Sequence, residues 1–498
     1  MSAEEQARAL FFEALEHLGR EDYTAAETRL REAQRLLPKR VSILTNLSAV
    51  LLKQDRTAES ADCARQALAI DPQNAEALVN LAWCLRKEGK LAEALECCER
   101  ATALNPDYAQ AWSNRAAVLA DLERYEDSLE SYDKAVALKA PHDVLGDWLR
   151  ARMQVCHWEG FDQACAAVLA AVDAGERAAA PHVLLAIDSS PAQQRRCAEL
   201  HALRTSTPVF PARTGERIRI GYASPDMAWL VERHDRARFE VVTDLSGEID
   251  IAVDPTRRVA PVQVSLTYPG TTGARYVDYL IADRVVVPPE QLEHYSEKVV
   301  WLPSLPRPGA PIPGGSPAGG FVFCCFSEPA RITPDVFEIW MALLEKVEGS
   351  VLRLLDHNPG ATRNLRAQAN RLGVAPERLV FAPTTGLAGH LALDAFYYSG
   401  SDALQAGVPM ITVPGDTYAS RIGASQVRAA GLAELAVRWR DDYEALALSL
   451  ANDPSRLGKL RERLKAQPFD VDYLEAAYLL MWDRHQRGLG PDHIEVPA

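Results

Sequence analysis

The sequence lacks the features of several protein classes, and each absence narrows the possibilities. Its first residues are polar and acidic, without the basic and apolar stretches of a signal peptide. It has no run of about 18 apolar residues, so no membrane span is predicted. It has no long basic run either, and its formal net charge is -14, which argues against wholesale nucleic-acid binding. We therefore expect a cytoplasmic protein with neither nucleic acid nor membrane as a partner.

Paired cysteine motifs are also missing. The nine cysteines include no CxxC pair, and most of them fall in apolar helical patterns. A free cysteine in such a pattern behaves as a small hydrophobic residue. The sequence thus predicts reduced, buried thiols rather than disulfides or a structural metal site.

What the sequence does contain is a repeat. Several series of residues recur every 34 positions, among them prolines, alanines and small residues: Pro38, Pro72 and Pro106; Ala33, Ala67, Ala101 and Ala135; Ala26, Ser60, Ala94 and Ser128. This period is typical of tetratricopeptide (TPR) repeats, helical hairpins that stack into a solenoid. We predict such an array over residues 1–141, with a groove that binds an extended peptide of a partner. The alternative is that the array only dimerises or stiffens the protein.

The pattern changes after a predicted helical connector and linker at 142–215. From there, short β-branched runs alternate with helical stretches, which predicts parallel α/β structure. A Pro- and Gly-rich stretch at 305–319 marks a boundary, so we expect one lobe at 216–310 and a second at 311–498. The predicted fold class is α + α/β: an N-terminal TPR α-solenoid followed by a two-lobed core. Ligands of such sheets bind beyond the carboxyl ends of the strands, here in the cleft between the lobes.

Two loops after predicted strands have residues suited to a sugar or a phosphate. Pro269, Gly270 and Thr271 begin a Pro-Gly-Thr-Thr-Gly turn whose N–H groups and hydroxyls could approach such a ligand, although a plain tight turn explains it as well. The segment 414–421 opens a helix that Asp416 or Thr417 could cap, and a helix N-terminus favours anions. Ordinary strand-to-helix punctuation is the alternative.

Three further residues are candidates in the second half. Arg331, after a predicted strand, could pair with a diphosphate or be one more solvated cation. Asp402 could hold a ribose hydroxyl or cap a helix. His390 stands alone, and its pattern favours a structural or exposed imidazole over a functional one.

Several longer runs carry a family resemblance: RIRIGYASPD (217–226), RHDRARFEV (233–241), APVQVSLTYPGTTG (260–273), HYSEK (294–298), the 324–334 segment and AGVPMITVPGD (406–416). In these runs the chain resembles the bacterial branch of the O-GlcNAc transferase/SPINDLY family. The resemblance implies a GT-B fold of twin Rossmann-like lobes. It also implies inverting, metal-independent transfer of a sugar, usually N-acetylglucosamine, from a UDP donor to protein Ser or Thr. No cofactor is expected beyond that donor substrate.

The resemblance also places site residues. Glu328 stands where the family has its uracil-contacting glutamine, and Arg331 stands at its diphosphate-binding lysine. His390 falls at the nucleotide-contacting histidine and Asp402 at the ribose-binding carboxylate. We assign no catalytic base, because Asp226 lies near the expected place but a carboxylate after a strand is more often a cap.

Four family loops are short or missing: after Asp226, after Asp254, after His390 and before Asp402. Two explanations fit this pattern. The protein is a catalytically degenerate TPR scaffold or adaptor that keeps a relict GT-B domain, or residues of mobile loops are absent from the chain as given. Omitted residues would leave wide gaps between Cα atoms that should lie about 3.8 Å apart. The enzyme and the scaffold are therefore both carried forward.

Overall fold

The structure is a computed structural model, and it describes residues 2–202, 210, 215–266, 268–305, 320–325, 327–382, 403–404, 407–464 and 471–497, without the side chain of Asp226. The chain divides into two compact units, Met1–Arg152 and Met153–Ala498. Over these described ranges, no helix combines the length and the apolar character needed to cross a membrane.

Unit one consists of antiparallel helical hairpins that follow the predicted period. Its helices are α1 (Ala3–Gly19), α2 (Tyr23–Leu36), α3 (Val41–Lys53), α4 (Thr57–Ile70), α5 (Ala75–Lys87), α6 (Leu91–Leu104), α7 (Ala109–Asp121) and α8 (Tyr125–Ala137), and α9 (Leu145–Gln154) follows. The first helices of successive repeats, α3, α5 and α7, also contact one another. The TPR prediction is confirmed.

The predicted close approach of the two helices in each hairpin is seen at the small-residue positions. Ala26, Ser60, Ala94 and Ser128 are all fully buried. The Ser60 hydroxyl donates to the Ser48 carbonyl at 2.8 Å, and the Ser128 hydroxyl donates to the Ala116 carbonyl at 2.8 Å. The serines therefore satisfy their own polar groups while they keep the helices close.

The tight turn inside each hairpin requires a left-handed residue. Glu21, Asp55 and Glu123 have φ of 58°, and Gly89 at the equivalent place has φ of 73°. Only glycine adopts this conformation without steric cost. Three of the four turns thus store backbone strain that the third turn avoids.

We expect Glu123→Gly to stabilise unit one by about 0.5–1 kcal/mol, because glycine removes the left-handed strain. The Glu123 side chain is exposed, so little else is lost. Gly89→Ala is the matched control and should destabilise the unit by a similar amount. Scanning calorimetry of the full chain measures both, and shifts of the same sign would contradict this account.

Unit two begins with connector helices and a seven-stranded sheet. The helices are α10 (Phe161–Asp173), α11 (Pro181–Leu184) and α12 (Pro191–His201). The strands are β1 (Ile218–Tyr222), β2 (Phe239–Val242), β3 (Ile251–Val253), β4 (Val262–Ser265), β5 (Tyr279–Ala282), β6 (Lys298–Trp301) and, from the chain's end, β10 (Ile494–Glu495). Their order is β10-β6-β5-β4-β3-β1-β2, and every pair is parallel.

One crossover of this sheet, between β3 and β4, is short, and a distant segment of the chain covers one face. Residues 254–261 alone link β3 to β4, whereas a parallel crossover normally takes about a dozen residues or more. A parallel sheet must be covered on both faces. The C-terminal helix α19, which spans Val471–Gln486, packs on one face through Leu474, Tyr478 and Met481.

This packing corrects the domain boundary at the end of the chain. The sequence assigned all of 311–498 to the second lobe. In the structure α19 packs on the first sheet, and β10 pairs with β6 through Ile494 and Val300. Residues 471–496 are therefore part of the first lobe, because the bare sheet face and the open edge of β6 need partners.

The second lobe has a smaller parallel sheet of β7 (Val322–Cys325), β8 (Val351–Leu355) and β9 (Leu379–Ala382). Its helices are α14 (Pro334–Lys346), α15 (Pro359–Arg371), α16 (Tyr418–Ala429), α17 (Arg440–Asn452) and α18 (Pro454–Arg463). The short helix α13 (Ala228–Val231) precedes them in the chain and belongs to the first lobe. Within the family run 406–416, Thr412 makes a single parallel bridge to Ala436. The α + α/β prediction is confirmed.

Candidate active site

All strands within each sheet run parallel, so the loops after them lie at one edge of that sheet. In the first lobe the Pro-Gly-Thr-Thr-Gly turn lies between β4 and β5, and its threonines contact Glu297, the residue that directly precedes β6. The Thr271 hydroxyl donates to Glu297 Oε2 at 2.8 Å and contacts Ser296 Oγ at 2.9 Å. The Thr272 N–H and hydroxyl both donate to Glu297 Oε1. Both threonines are therefore engaged within the protein, which is the structural role that the sequence left open.

The sequence did not identify Glu297 as a site residue, although it lies in the family run at 294–298. Its side chain is buried, with 2% exposure. A buried carboxylate needs hydrogen-bond donors, and the turn supplies three. Pro269, Gly270 and Thr271 thus begin a turn whose shape Glu297 fixes.

We expect Glu297→Gln to lower the stability of unit two by about 2 kcal/mol, because one carboxylate oxygen becomes an NH2 group that cannot accept from the turn, and the remaining hydrogen bonds lose their charged acceptor. Hydrogen exchange of the 269–273 amides should rise with it. The control is Glu293→Gln, since the Glu293 side chain is 78% exposed and should matter little. Unchanged exchange in Glu297→Gln would refute the role given to this carboxylate.

The same turn packs against the connector. Gly273 has φ of +67°, and a Cβ atom added there would lie 2.3 Å from the backbone carbon of Ala198 in α12. Ala202, just beyond α12, packs against Ala274, Tyr276 and Val277. The turn therefore seats the connector helix on the first lobe.

The second lobe places Glu328 and Arg331 together on a short turn after β7. Pro329–Arg331 form one 3-10 turn, in which the Arg331 N–H donates to the Glu328 carbonyl at 2.9 Å. The Glu328 side chain is exposed and Arg331 is half-buried. A carboxylate and a guanidinium thus share one turn directly after β7.

The connector contains a Cys-His-Trp segment, residues 156–158, which contacts this turn and the helix after it. The Cys156 thiol lies 3.6 Å from the Pro329 carbonyl, and the Trp158 ring lies 5.3 Å from the ring of Phe337 in α14. The Asn358 and Asn364 amides donate to the carbonyls of Gln154 and Val155. Cys156 and Trp158 are therefore embedded in the core of the second lobe.

The segment 414–421 forms the start of α16. Thr417 caps the helix, in a reciprocal capping box with Ser420. Asp416 does not cap but lies 3.6 Å from the Arg421 guanidinium. Of the two caps that the sequence left open, the structure uses Thr417.

Helix α16 also joins the two lobes. Tyr418 donates to the Ile281 carbonyl at 3.1 Å, and Ser425 donates to the Asp283 carboxylate. Burial raises the pKa of Asp283, although the Ser425 hydrogen bond opposes this. Tyr418 and Ile422 pack on Leu280. These contacts set the position of the second lobe against the strand ends of the first.

Two predicted site residues, His390 and Asp402, lie outside the described residues, as does the side chain of Asp226. Two of the four shortened loops are described. The 3-10 turn Pro225–Met227 runs directly into α13, and the Thr256 N–H donates to Asp254 Oδ1 at 2.7 Å. Both segments are therefore short turns between neighbouring elements.

The nine cysteines are free thiols, eight of them buried and Cys165 intermediate, as predicted. Among the described residues, no group of three or more His, Cys, Asp or Glu side chains could hold a metal ion.

Comparison with known proteins agrees with this architecture. The model of glycosyl transferase family 41 matches residues 254–305 and 314–477. Tetratricopeptide models match 13–75, 75–108 and 109–142. A solved Thermobaculum terrenum O-GlcNAc transferase mutant aligns with a TM-score of 0.58 and 27% identity, over 90% of this chain and 98% of that one. The chain belongs to the O-GlcNAc transferase-like family.

Curated relatives of this family member match its glycosyltransferase half. The Arabidopsis thaliana protein SEC, a probable UDP-N-acetylglucosamine–peptide N-acetylglucosaminyltransferase, is 32% identical over 279 residues, which are 48% of this chain and 28% of SEC. The SPINDLY protein of Petunia hybrida, which is also named a probable UDP-N-acetylglucosamine–peptide N-acetylglucosaminyltransferase, is 32% identical over 46% of this chain and 28% of its own length. The chain therefore spans less than a third of these relatives.

Proposed function

We propose that this O-GlcNAc transferase-like protein transfers a sugar, with N-acetylglucosamine as the first candidate, from a UDP donor to Ser or Thr of a protein. The transfer would invert the anomeric centre and need no metal. The observation that carries the proposal is the Glu328–Arg331 turn at the carboxyl edge of the second sheet. An arginine there can stabilise the diphosphate leaving group electrostatically.

The nucleotide base of the donor sets the design of the test. Glu328 carries a carboxylate, which accepts hydrogen bonds but has no N–H to donate. The names of the relatives specify a UDP-sugar donor. We therefore test UDP-N-acetylglucosamine first, with GDP-sugars as the comparison donors.

The TPR unit supports a protein acceptor. Asn46, Asn80 and Asn114 recur every 34 residues on the first helices α3, α5 and α7. The Asn80 amide donates to the Thr45 carbonyl at 3.2 Å, and the Asn114 amide donates to the Val79 carbonyl at 3.3 Å. A regular row of half-buried amides suits an extended backbone, so we propose that the acceptor polypeptide binds there.

Two measurements test the proposal with the full chain: calorimetric titration with UDP, and transfer of labelled N-acetylglucosamine to protein, with and without EDTA. Transfer that survives EDTA and yields the inverted anomer supports it. Absence of measurable UDP affinity would rule the enzyme out.

A second function is favoured by one specific observation. The described loops at 225–228 and 254–256 are closed and short, and both hydroxyls of the Thr271–Thr272 pair bind Glu297. The alternative proposal is a catalytically degenerate TPR scaffold that retains the GT-B domain. Capture of a partner by unit one, abolished in Asn80→Ala, together with no transfer would support it.

A further inference from the structure

A buried polar chain in the first lobe has no role in the site described above. It consists of Tyr222, His234 and Glu475, with Tyr478 at its end, and we call it the Tyr–His–Glu chain. These side chains come from β1, from the loop before β2 and from α19. None of the four residues is more than 3% exposed.

The bonds of the Tyr–His–Glu chain are short and continuous. Tyr222 Oη lies 2.8 Å from His234 Nε2 and 3.0 Å from Tyr478 Oη. His234 Nδ1 lies 3.0 Å from Glu475 Oε1, which also accepts the Asp235 N–H at 2.8 Å. The imidazole therefore joins α19 to β1 and to the loop before β2, although Glu475 is 241 residues beyond His234.

The geometry assigns the protons. Glu475 accepts, so His234 donates from Nδ1–H. Burial lowers the pKa of His234, although the Glu475 hydrogen bond opposes this, which favours the neutral ring with Nε2 as an acceptor. Tyr222 must then donate to Nε2, and Tyr478 donates to the Tyr222 oxygen. Each hydrogen bond thus depends on the one before it.

Packing α19 through the Tyr–His–Glu chain costs free energy, because polar and charged groups are removed from water. Glu475 Oε2 is buried without a hydrogen bond and has only the Arg238 guanidinium at 3.6 Å. Buried ion-containing networks are often no more stable than apolar packing of the same volume. Such a network is therefore better suited to fix a position than to add stability.

The position that it fixes is next to the cleft. Tyr222 is the last residue of β1, and residues 223–227 follow it at the carboxyl edge of the sheet. Met227 and Leu230 are buried in the same cluster as Tyr222 and Tyr478. The short loop that carries Asp226 is thus held at its start by Tyr222 and at its end by α19.

We propose that Tyr222, His234 and Glu475 are positioning residues, through which α19 holds the 223–227 loop in place for sugar transfer. The proposal rests on the proposed glycosyltransferase function. It predicts that loss of the Tyr222–His234 hydrogen bond misplaces the loop without weakening donor binding. A misplaced reacting group slows the chemical step far more than it changes KM.

The test compares Tyr222→Phe with Tyr443→Phe in the full chain. Both variants remove one phenolic hydroxyl, and Tyr443 accepts the Trp340 Nε1–H at 3.3 Å in the second lobe. We expect Tyr222→Phe to lower kcat about tenfold or more, with the KM for UDP-N-acetylglucosamine within about twofold. Tyr443→Phe should leave both within about twofold. A Tyr222→Phe enzyme with unchanged kcat would overturn the proposal.

A second variant guards against a simple loss of stability. In His234→Asn the amide can still donate to Glu475 in place of Nδ1–H, but the shorter side chain leaves no acceptor at the position of Nε2, where Tyr222 donates. It should reproduce the kcat loss of Tyr222→Phe, and a wild-type kcat would overturn the proposal.

Hydrogen exchange separates this proposal from the proposed function. If the wild-type protein transfers no sugar, the proposed function fails. Hydrogen exchange of the 223–231 amides then decides the role of the Tyr–His–Glu chain. A rise of about tenfold in Tyr222→Phe, absent in Tyr443→Phe, supports positioning of the loop. Unchanged exchange overturns it.

Discussion

Gly273→Ala is expected to destabilise unit two by about 4 kcal/mol, the largest stability loss we predict for a single methyl group. Two costs add. A left-handed φ, +67° at Gly273, costs a residue with a Cβ atom about 1–2 kcal/mol. Overpacking costs a further 1–3 kcal/mol or so, because the new atom meets the α12 backbone rather than a side chain that could rotate away.

The clash has no simple relief. The nearest atoms are the Ala198 carbon at 2.3 Å, the Glu199 nitrogen at 2.4 Å and the Ala198 oxygen at 2.6 Å. All three belong to a helix that Ser190 and Gln193 cap reciprocally. Either α12 moves away or the turn at 269–273 is displaced from Glu297.

Gly349→Ala separates the two costs. Gly349 has φ of +70° but no atom within 4 Å of the position of an added Cβ, so it bears the backbone strain alone. We expect it to lose only about 1–2 kcal/mol. Denaturant unfolding of the full chain, followed by hydrogen exchange in α12, measures both variants. Equal losses would show that the connector is not tightly seated on the turn.

The parts of the fold that depend on residues close together in the chain could be predicted from the sequence. The 34-residue period, the short β-branched runs and the helix caps depend on residues close together in the chain, and Thr417 was one of the two caps that the sequence offered for α16 for that reason. Pairing between distant segments leaves no such signal. Nothing near Ile494 indicates that it pairs with Val300, so residues 471–496 were placed in the wrong lobe.

The candidate site shows the same division. The sequence found the turn at 269–273 because Gly and Thr are visible in it, but it could not show that the hydroxyls face Glu297. That carboxylate is 26 residues beyond Thr271, and it reaches the turn only because β4, β5 and β6 are neighbours. The turn after β7 was easier to predict from the sequence, because Glu328 and Arg331 are close in the chain and share a backbone hydrogen bond. Which side chains face a ligand depends on contacts that form only in the folded sheet.

Arg331→Met is expected to lower sugar transfer about 100-fold or more, because removal of one electrostatic contact to developing charge has an effect of this size. Arg331 is half-buried at the end of its turn, so its guanidinium keeps a defined position. Methionine keeps the length of the side chain and removes the charge. Affinity for UDP should fall with transfer, since the diphosphate carries most of the ligand's charge.

Arg331→Lys tests whether charge alone suffices. Lysine is the residue that the family resemblance implies here, and it binds phosphate as a point charge. We expect transfer within about tenfold of wild type, against the larger loss in Arg331→Met. Arg461→Met, an exposed cation on α18, is the control and should change neither transfer nor UDP affinity. If Arg331→Met bound UDP as tightly as wild type, the diphosphate would not lie at this turn. If wild type itself neither bound UDP nor transferred sugar, the scaffold interpretation would hold.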